Sequence, residues 1–476
     1  VTSRAADRWY LRREIESVAK PLLLLTIPGL RPGDLAAMPR LMDRCRQGTA
    51  RELIPSFPAV TWPVQTNLLT GCLPAEHGIV ANGLYDRGPR GPVMWTLGNR
   101  AIERPQLWDV LQQPAGALPA LHTGSWFPML ARDCGAELVC MPAPIHNPDG
   151  SESLWCYSKP TMLYGELRDA LGHFPLKHFW GPLAGMPSSR WILESAVVGA
   201  KRSPPDFFYI YVPHLDYAAQ KLGPESPQAV SAVGELDGLL DGFFTQMDGV
   251  YPEPPTVLVV GEYPIVPVDH VCFPNRKLRE AGLLRVLVDD QGREQLDFAG
   301  SAAWALVDHQ FSHVFVRDAA PAIVKQVADL MRSEPGIEEI LVGAELARYG
   351  LNHPRSGELV LVSSPQSWQA YYWWEDDARA PAYARTVDIH RKPGYDPVEL
   401  HFDPQTKGIP LDARLIRGSH GAPCRSAAQR TVAVSSDARL LATPTGLAVG
   451  GSGGAGSDSP LRDLDLHGSV LRHFGR

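Results

Sequence analysis

The chain has 476 residues, of which 44% are apolar, 20% charged and 8% aromatic, so it can bury a sizeable core and is not globally disordered. Its formal net charge is −7 and it has no extended basic run, which excludes a nucleic acid or anionic membrane held by bulk charge as the expected partner. The length accommodates two to three domain-sized units, or one large α/β domain carrying insertions.

Along the chain, the first twenty residues mix Arg4, Arg8, Arg12 and Arg13 with Asp7, Glu14 and Glu16. The apolar run that follows, Leu22–Ile27, is too short for a signal core or a membrane span. Cys45, Cys72, Cys134, Cys140, Cys156, Cys272 and Cys424 are scattered without a C-x-x-C pair, which suits a reducing compartment. The chain therefore reads as soluble and cytoplasmic, with no membrane segment.

Three continuous apolar runs predict strands buried on both faces, as in a parallel sheet covered by helices. Pro21–Ile27 runs into Pro28-Gly29, Phe207–Val212 into Pro213-His214-Leu215-Asp216, and Val257–Val260 into Gly261-Glu262-Tyr263. The spacing of apolar residues over Glu225–Phe244 predicts a crossover helix. The predicted fold class is α/β: a large, mostly parallel sheet flanked by helices, with an inserted cap. Core residues 18–285 precede the cap or insertion at 286–400, and 401–442 close the core. The cap contains the acidic run Glu375–Asp377 and the aromatic run Tyr371–Trp374, read as core packing in preference to the alternative of stacking a nucleobase. A Gly/Ser-rich linker and a short helical tail follow over 443–476. Open α/β sheets bind ligands beyond the carboxyl ends of their strands, so the three loops named above mark the edge to inspect for chemistry.

The segment Phe57–Gly83 (FPAVTWPVQTNLLTGCLPAEHGIVANG) is the richest in signals. Thr61, with Pro63 in the first turn and Gly71 just past the end, predicts a short helix capped by Thr61. The alternative use of Thr61 is as a hydroxyl nucleophile at the positive end of that helix, where a phosphoryl group is attracted. Asn82-Gly83 reads as a turn, or as an amide donating to a phosphate oxygen.

The order of the first strand, PAVTWPVQTNLLTG and LPAEHGIVANG resembles the nucleotide pyrophosphatase/phosphodiesterase branch of the alkaline phosphatase superfamily. The resemblance spans roughly residues 20–90 and continues thinly at 207–224, 257–265 and Arg417–Gly421 (RGSHG). It implies an alkaline phosphatase-like sheet with a cap, and two zinc ions flanking a Thr or Ser nucleophile. It also implies phosphodiesters or pyrophosphates cleaved through a phospho-enzyme. By that match Thr61 is the nucleophile and Asn82 the phosphate-binding amide.

The ligand positions carry over only in part. Pro28 stands where the family has an Asp, Gln220 where it has a His, and Glu262-Tyr263 where it has Asp-His, while Asp216 and His420 are retained. His214, two residues before Asp216, is a further candidate ligand. Asp308, His309, His313, Asp388 and His390 are weaker ones. The candidate metal set is thus Asp216, Glu262, His420 and His214, for a divalent ion (Zn, Mn or Mg), as few as one. Two carboxylates, an amide oxygen and one imidazole suit Mg²⁺ or Mn²⁺ better than a closed zinc site. The expected function is a metal-dependent phosphodiesterase or nucleotide pyrophosphatase-like hydrolase, with a threonine nucleophile, an altered metal site and a small-molecule phosphoester substrate. The alternative is a non-catalytic phosphoester- or partner-binding member of the same fold.

Overall fold

The computed structural model describes residues 19–87, 91–147, 152–442 and 460–476. The N-terminal charge pattern and almost all of the expected Gly/Ser-rich linker lie outside the described residues. In chain order the strands of the two larger sheets begin with β1 (Leu22–Ile27), β2 (Thr49–Ile54), β3 (Thr123–Trp126), β4 (Leu138–Pro142), β5 (Cys156–Lys159), β6 (Phe207–Tyr211) and β7 (Thr256–Gly261). Next come β8 (Ala303–Asp308), β9 (Phe311–Val316), β10 (Ile337–Val342) and β11 (Leu359–Ser363), then β12 (Thr431–Ser435) and β13 (Leu461–Arg462). The central sheet has nine strands in the order β13-β2-β12-β7-β1-β6-β3-β4-β5. Its middle, β7-β1-β6-β3-β4, is parallel throughout, whereas β12 and β5 pair antiparallel to their neighbours.

The unbroken apolar runs are explained by what covers each face. Leu25 pairs with Ile210 on one side and Val259 on the other, and every residue of β1 is buried. Leu23, Leu25 and Ile27 join one core cluster with Trp191, Leu236 and Phe243, while Leu22 and Leu24 join the opposite cluster with Leu68, Leu69 and Leu466. Each such leucine contributes about 1.5–3 kcal/mol by leaving water. Both faces must therefore be apolar, and no alternation is left to read.

Five helices matter for the site: α1 (Thr61–Thr70), α2 (Met186–Arg202), α3 (His214–Leu222), α4 (Pro227–Asp248) and α5 (Asp463–His473). The helix expected over Glu225–Phe244 is α4, which starts after Ser226, whose hydroxyl accepts from the Ala229 N–H at 3.2 Å. No described helix is long and apolar enough to cross a membrane.

The second sheet, β8-β9-β11-β10, is antiparallel and lies within the region expected as a cap. Phe311, Val360 and Val362 pack with Phe57 and Trp62, which seats this sheet on the N-terminal end of α1. Tyr371–Trp374 are fully buried in the cluster behind it.

Residues 461–476, expected as an appended tail, are instead part of the core. β13 extends the central sheet beside β2, and Leu466 and Val470 of α5 share a cluster with Leu68 and Leu69 of α1. The buried Asp463 carboxylate fixes this arrangement by accepting from Ser56 N–H, the Ser56 hydroxyl and the Asn67 amide.

Candidate functional site

The loops after β1, β6 and β7 meet at the carboxyl edge of the central sheet. Gly29 adopts φ +82° and lies under α3, where an added Cβ would stand 3.1 Å from the Leu215 carbonyl. Its N–H donates to the Tyr263 carbonyl at 2.8 Å, and the Glu262 N–H donates to Ile27 at 3.2 Å, so the first and third loops are tied by backbone.

Thr61 is the first residue of α1, not its cap; Val60 occupies the cap position. The Thr61 hydroxyl shares a 2.9 Å hydrogen bond with the Tyr263 hydroxyl. The helix end is capped from afar by Asn82, whose side-chain oxygen accepts from the Trp62 N–H at 2.9 Å. The Asn82 amide donates to Asp308 Oδ1 at 3.1 Å and its backbone N–H to Asp308 Oδ2 at 2.8 Å. Asn82 thus holds the helix end and Asp308, and it is not among the residues that line the cavity described below. Burial pushes the Asp308 carboxyl up to about 6, and the donors from Asn82 pull against that.

Four rings lie in a row beside Thr61, stacked in the two end pairs and tilted by 43° in the middle pair. Tyr263 lies flat on His420, with centroids 3.7 Å apart and planes 7° apart; His420 is 3.8 Å from His309, and His309 is 3.6 Å from Tyr395. His420 Nδ1–H donates to the Ala59 carbonyl at 2.8 Å, and His309 Nδ1 meets Asp308 Oδ1 at 2.6 Å. Burial pushes both imidazoles well below their ordinary range, with the neighbouring His309 adding to the effect on His420. The rings are therefore neutral near pH 7.

The predicted carboxylates are deeply placed. Asp216, in the first turn of α3, is 7% exposed, and its Oδ1 has no hydrogen-bond partner among the described residues. Burial pushes its carboxyl up to about 7, with Gln220 opposing the shift. Glu262 is fully buried; Oε1 accepts from the Gln65 amide at 2.8 Å, Oε2 has no partner among the described residues, and burial pushes the carboxyl to about 8. Gln220 Oε1 accepts from the Tyr395 hydroxyl at 2.9 Å.

His214 turns away from this group, toward Glu235 of α4, with 3.6 Å between Nε2 and the carboxylate. Among the weaker candidates, His313 is held between the Val80 carbonyl and the Gly357 N–H, Asp388 pairs with Arg391, and His390 meets the Met94 carbonyl; only Asp308 and His309 reach the site.

Thr61, Asp216, Tyr263, His309 and Tyr395 line one cavity of about 70 Å³. Trp95, Trp180, Tyr211 and Tyr217 complete its aromatic wall. Sequence reasoning missed Trp95, Trp180 and Tyr395. The available signal for the last was the loop Arg391–Pro397, whose glycine and prolines bring a tyrosine back from the second sheet.

The family model for type I phosphodiesterase / nucleotide pyrophosphatase matches residues 22–396. The chain belongs to this family. Among solved structures it is similar to phosphonoacetate hydrolase from Sinorhizobium meliloti 1021 in complex with phosphonoformate, at 17% identity and a TM-score of 0.58, with 96% of each chain covered. It is also similar to an inactive variant of murine ectonucleotide pyrophosphatase / phosphodiesterase 5 in complex with AMP, at 12% identity and a TM-score of 0.56, covering 96% of this chain and 95% of that one. No curated protein matches the sequence. The fold is thus the alkaline phosphatase-like fold of the phosphodiesterase/pyrophosphatase hydrolases.

Members of this superfamily generally depend on divalent metal ions, and this chain departs from their ligand set at three positions. Pro28 has no donor, the Gln220 oxygen is engaged by Tyr395, and the Tyr263 hydroxyl is engaged by Thr61. A catalytic zinc site needs about three protein ligands. Among the described residues no group of three or more His, Cys, Asp or Glu side chains stands together as a ready-made metal site.

Proposed function

We propose that this chain is a ligand-binding member of its family that has given up metal-assisted phosphoryl transfer. The observation that carries this reading is the ring stack Tyr263-His420-His309-Tyr395, which occupies two of the family's ligand positions with ring faces in van der Waals contact. Phosphoryl transfer depends mainly on positioning and on neutralising the charge of the transferring group. Among the described residues no Lys or Arg lines the cavity, and the one carboxylate that does adds negative charge. A phosphate placed there meets a hydroxyl, aromatic rings and Asp216.

One observation favours a second reading, hydrolysis by Thr61. The Thr61 hydroxyl and the Asp216 carboxyl, with its affinity for a proton near pH 7, line the same cavity, which suits acid–base work. The two readings part in a turnover assay on bis(p-nitrophenyl) phosphate with Mn²⁺, Mg²⁺ or Zn²⁺, run beside Thr61→Ala. The expected result is hydrolysis at the buffer rate for both proteins with every ion. Turnover by the native chain that disappears in Thr61→Ala would establish the hydrolase instead.

A further inference from the structure

We infer that the cavity beside Thr61 binds an organic ammonium group, with Asp216 as its counter-ion and the surrounding aromatic rings as its wall. This rests on the binding reading above and names the ligand class. Three features of the site point the same way.

The first is ring geometry. Trp180 stands 5.5 Å from Tyr395 with planes 50° apart and 6.5 Å from Tyr217 at 58°, and Trp95 is 6.4 Å from Tyr395 at 61°. All four of these rings line the cavity, so its wall offers aromatic surface on several sides. A cation within about 6 Å of a ring centroid is drawn to the negative face of the π system, and several faces share the attraction.

The second is the lone carboxylate. Asp216 is 93% buried by its 7% exposure and lines the cavity, and its Oδ1 lacks a hydrogen-bond partner among the described residues. A neutral ligand leaves that oxygen unpaired and an anion is repelled by it, whereas an ammonium group pairs with it.

The third is the charge behind the wall. Lys392 is a buried cation on the segment that carries Tyr395, and it is held by Asp396 at 2.8 Å and Glu399 at 2.6 Å. One positive charge against two carboxylates leaves the trio without surplus positive charge for an anion in the cavity. Glu399 also accepts from the Trp180 indole N–H at 2.6 Å, so the trio holds one of the cage rings in place. Trp180 contacts the ligand directly; Glu399 is a positioning residue.

The test is calorimetric titration of the full chain with three probes: choline, its uncharged isostere 3,3-dimethylbutan-1-ol, and inorganic phosphate. The expected order is choline tighter than the alcohol by about tenfold or more, with no heat from phosphate. Asp216→Asn, checked for folding by circular dichroism, should weaken choline by about tenfold and leave the alcohol unchanged. Trp180→Leu, an independent variant should Asp216→Asn fail to fold, should weaken choline several-fold as well. Equal binding of choline and the alcohol overturns the cation assignment and leaves the binding reading standing. No binding of choline overturns the assignment too. Phosphate binding together with Thr61-dependent turnover overturns the binding reading itself.

Discussion

Asn82 does for α1 what a neighbouring residue does for most helices. The cap position is Val60, which has no side-chain acceptor, so the Trp62 N–H would be left unpaired in a buried place without the Asn82 oxygen. Asn82→Ala removes that acceptor and also strips Asp308 of a donor, so it should cost about 2–3 kcal/mol in denaturant unfolding. A neutral result would return Asn82 to a role outside the fold. His77 gives a pH-dependent counterpart. Fully buried, it accepts from the Ile79 N–H at Nδ1 and faces the Asn67 oxygen through Nε2, so a second ring proton has no place to go. Burial, with His353 and Arg355 nearby, pushes the imidazole down to about 3 from 6.5. Between those values the unfolded chain binds the extra proton and the native one does not. The stabilisation is therefore complete above about pH 6.5 and is lost as pH falls toward about 3, reaching roughly 3 kcal/mol by about pH 4.5. Melts of His77→Gln, whose amide can make both bonds, should show a shallower acid limb than the native chain.

At the level of elements, the middle strands were legible because burial on both faces writes an uninterrupted apolar run, and β1, β6 and β7 are such runs. The helix α1 was legible from Gly71, which takes φ +69° at its end, although its start was assigned the wrong cap. Nothing local announced β13 and α5. A strand of two residues shows no period, and the polar anchor of the segment, Asp463, meets Asn67 across 396 residues of chain. Its place in the core makes a strong prediction. Asp463→Ala leaves the Ser56 hydroxyl and N–H and the Asn67 amide short of an acceptor, and should cost about 2–4 kcal/mol in equilibrium unfolding. A change below about 0.5 kcal/mol, the range of surface substitutions, would mean that α5 is only loosely docked.

Across the whole molecule, two distant stretches of chain determine what the carboxyl edge of the central sheet can hold. The retained Asp216 and His420 were legible from their motifs, but whether they converge is decided by rings that no motif records: His309, just after β8, and Tyr395, on the strap behind it, complete the stack against His420. The second sheet that supplies them is anchored on Phe57 and Trp62, so the stack is part of the fold and not a loose side-chain arrangement. This has a thermodynamic consequence. A metal ion bound only by the native state adds to its stability, by about 2.7 kcal/mol at a hundred times the dissociation constant. Where ligands must instead abandon a ring stack and the hydrogen bonds of Tyr263 and Gln220, that gain is consumed before it appears. Exhaustive treatment with EDTA should therefore leave the unfolding free energy of the purified chain unchanged, and so should millimolar Zn²⁺, Mn²⁺ or Mg²⁺. A rise approaching that magnitude with any of these ions would mean that Asp216, Glu262 and His420 do come together when the ion is offered, and the stack would then be a resting arrangement of a metal-using hydrolase.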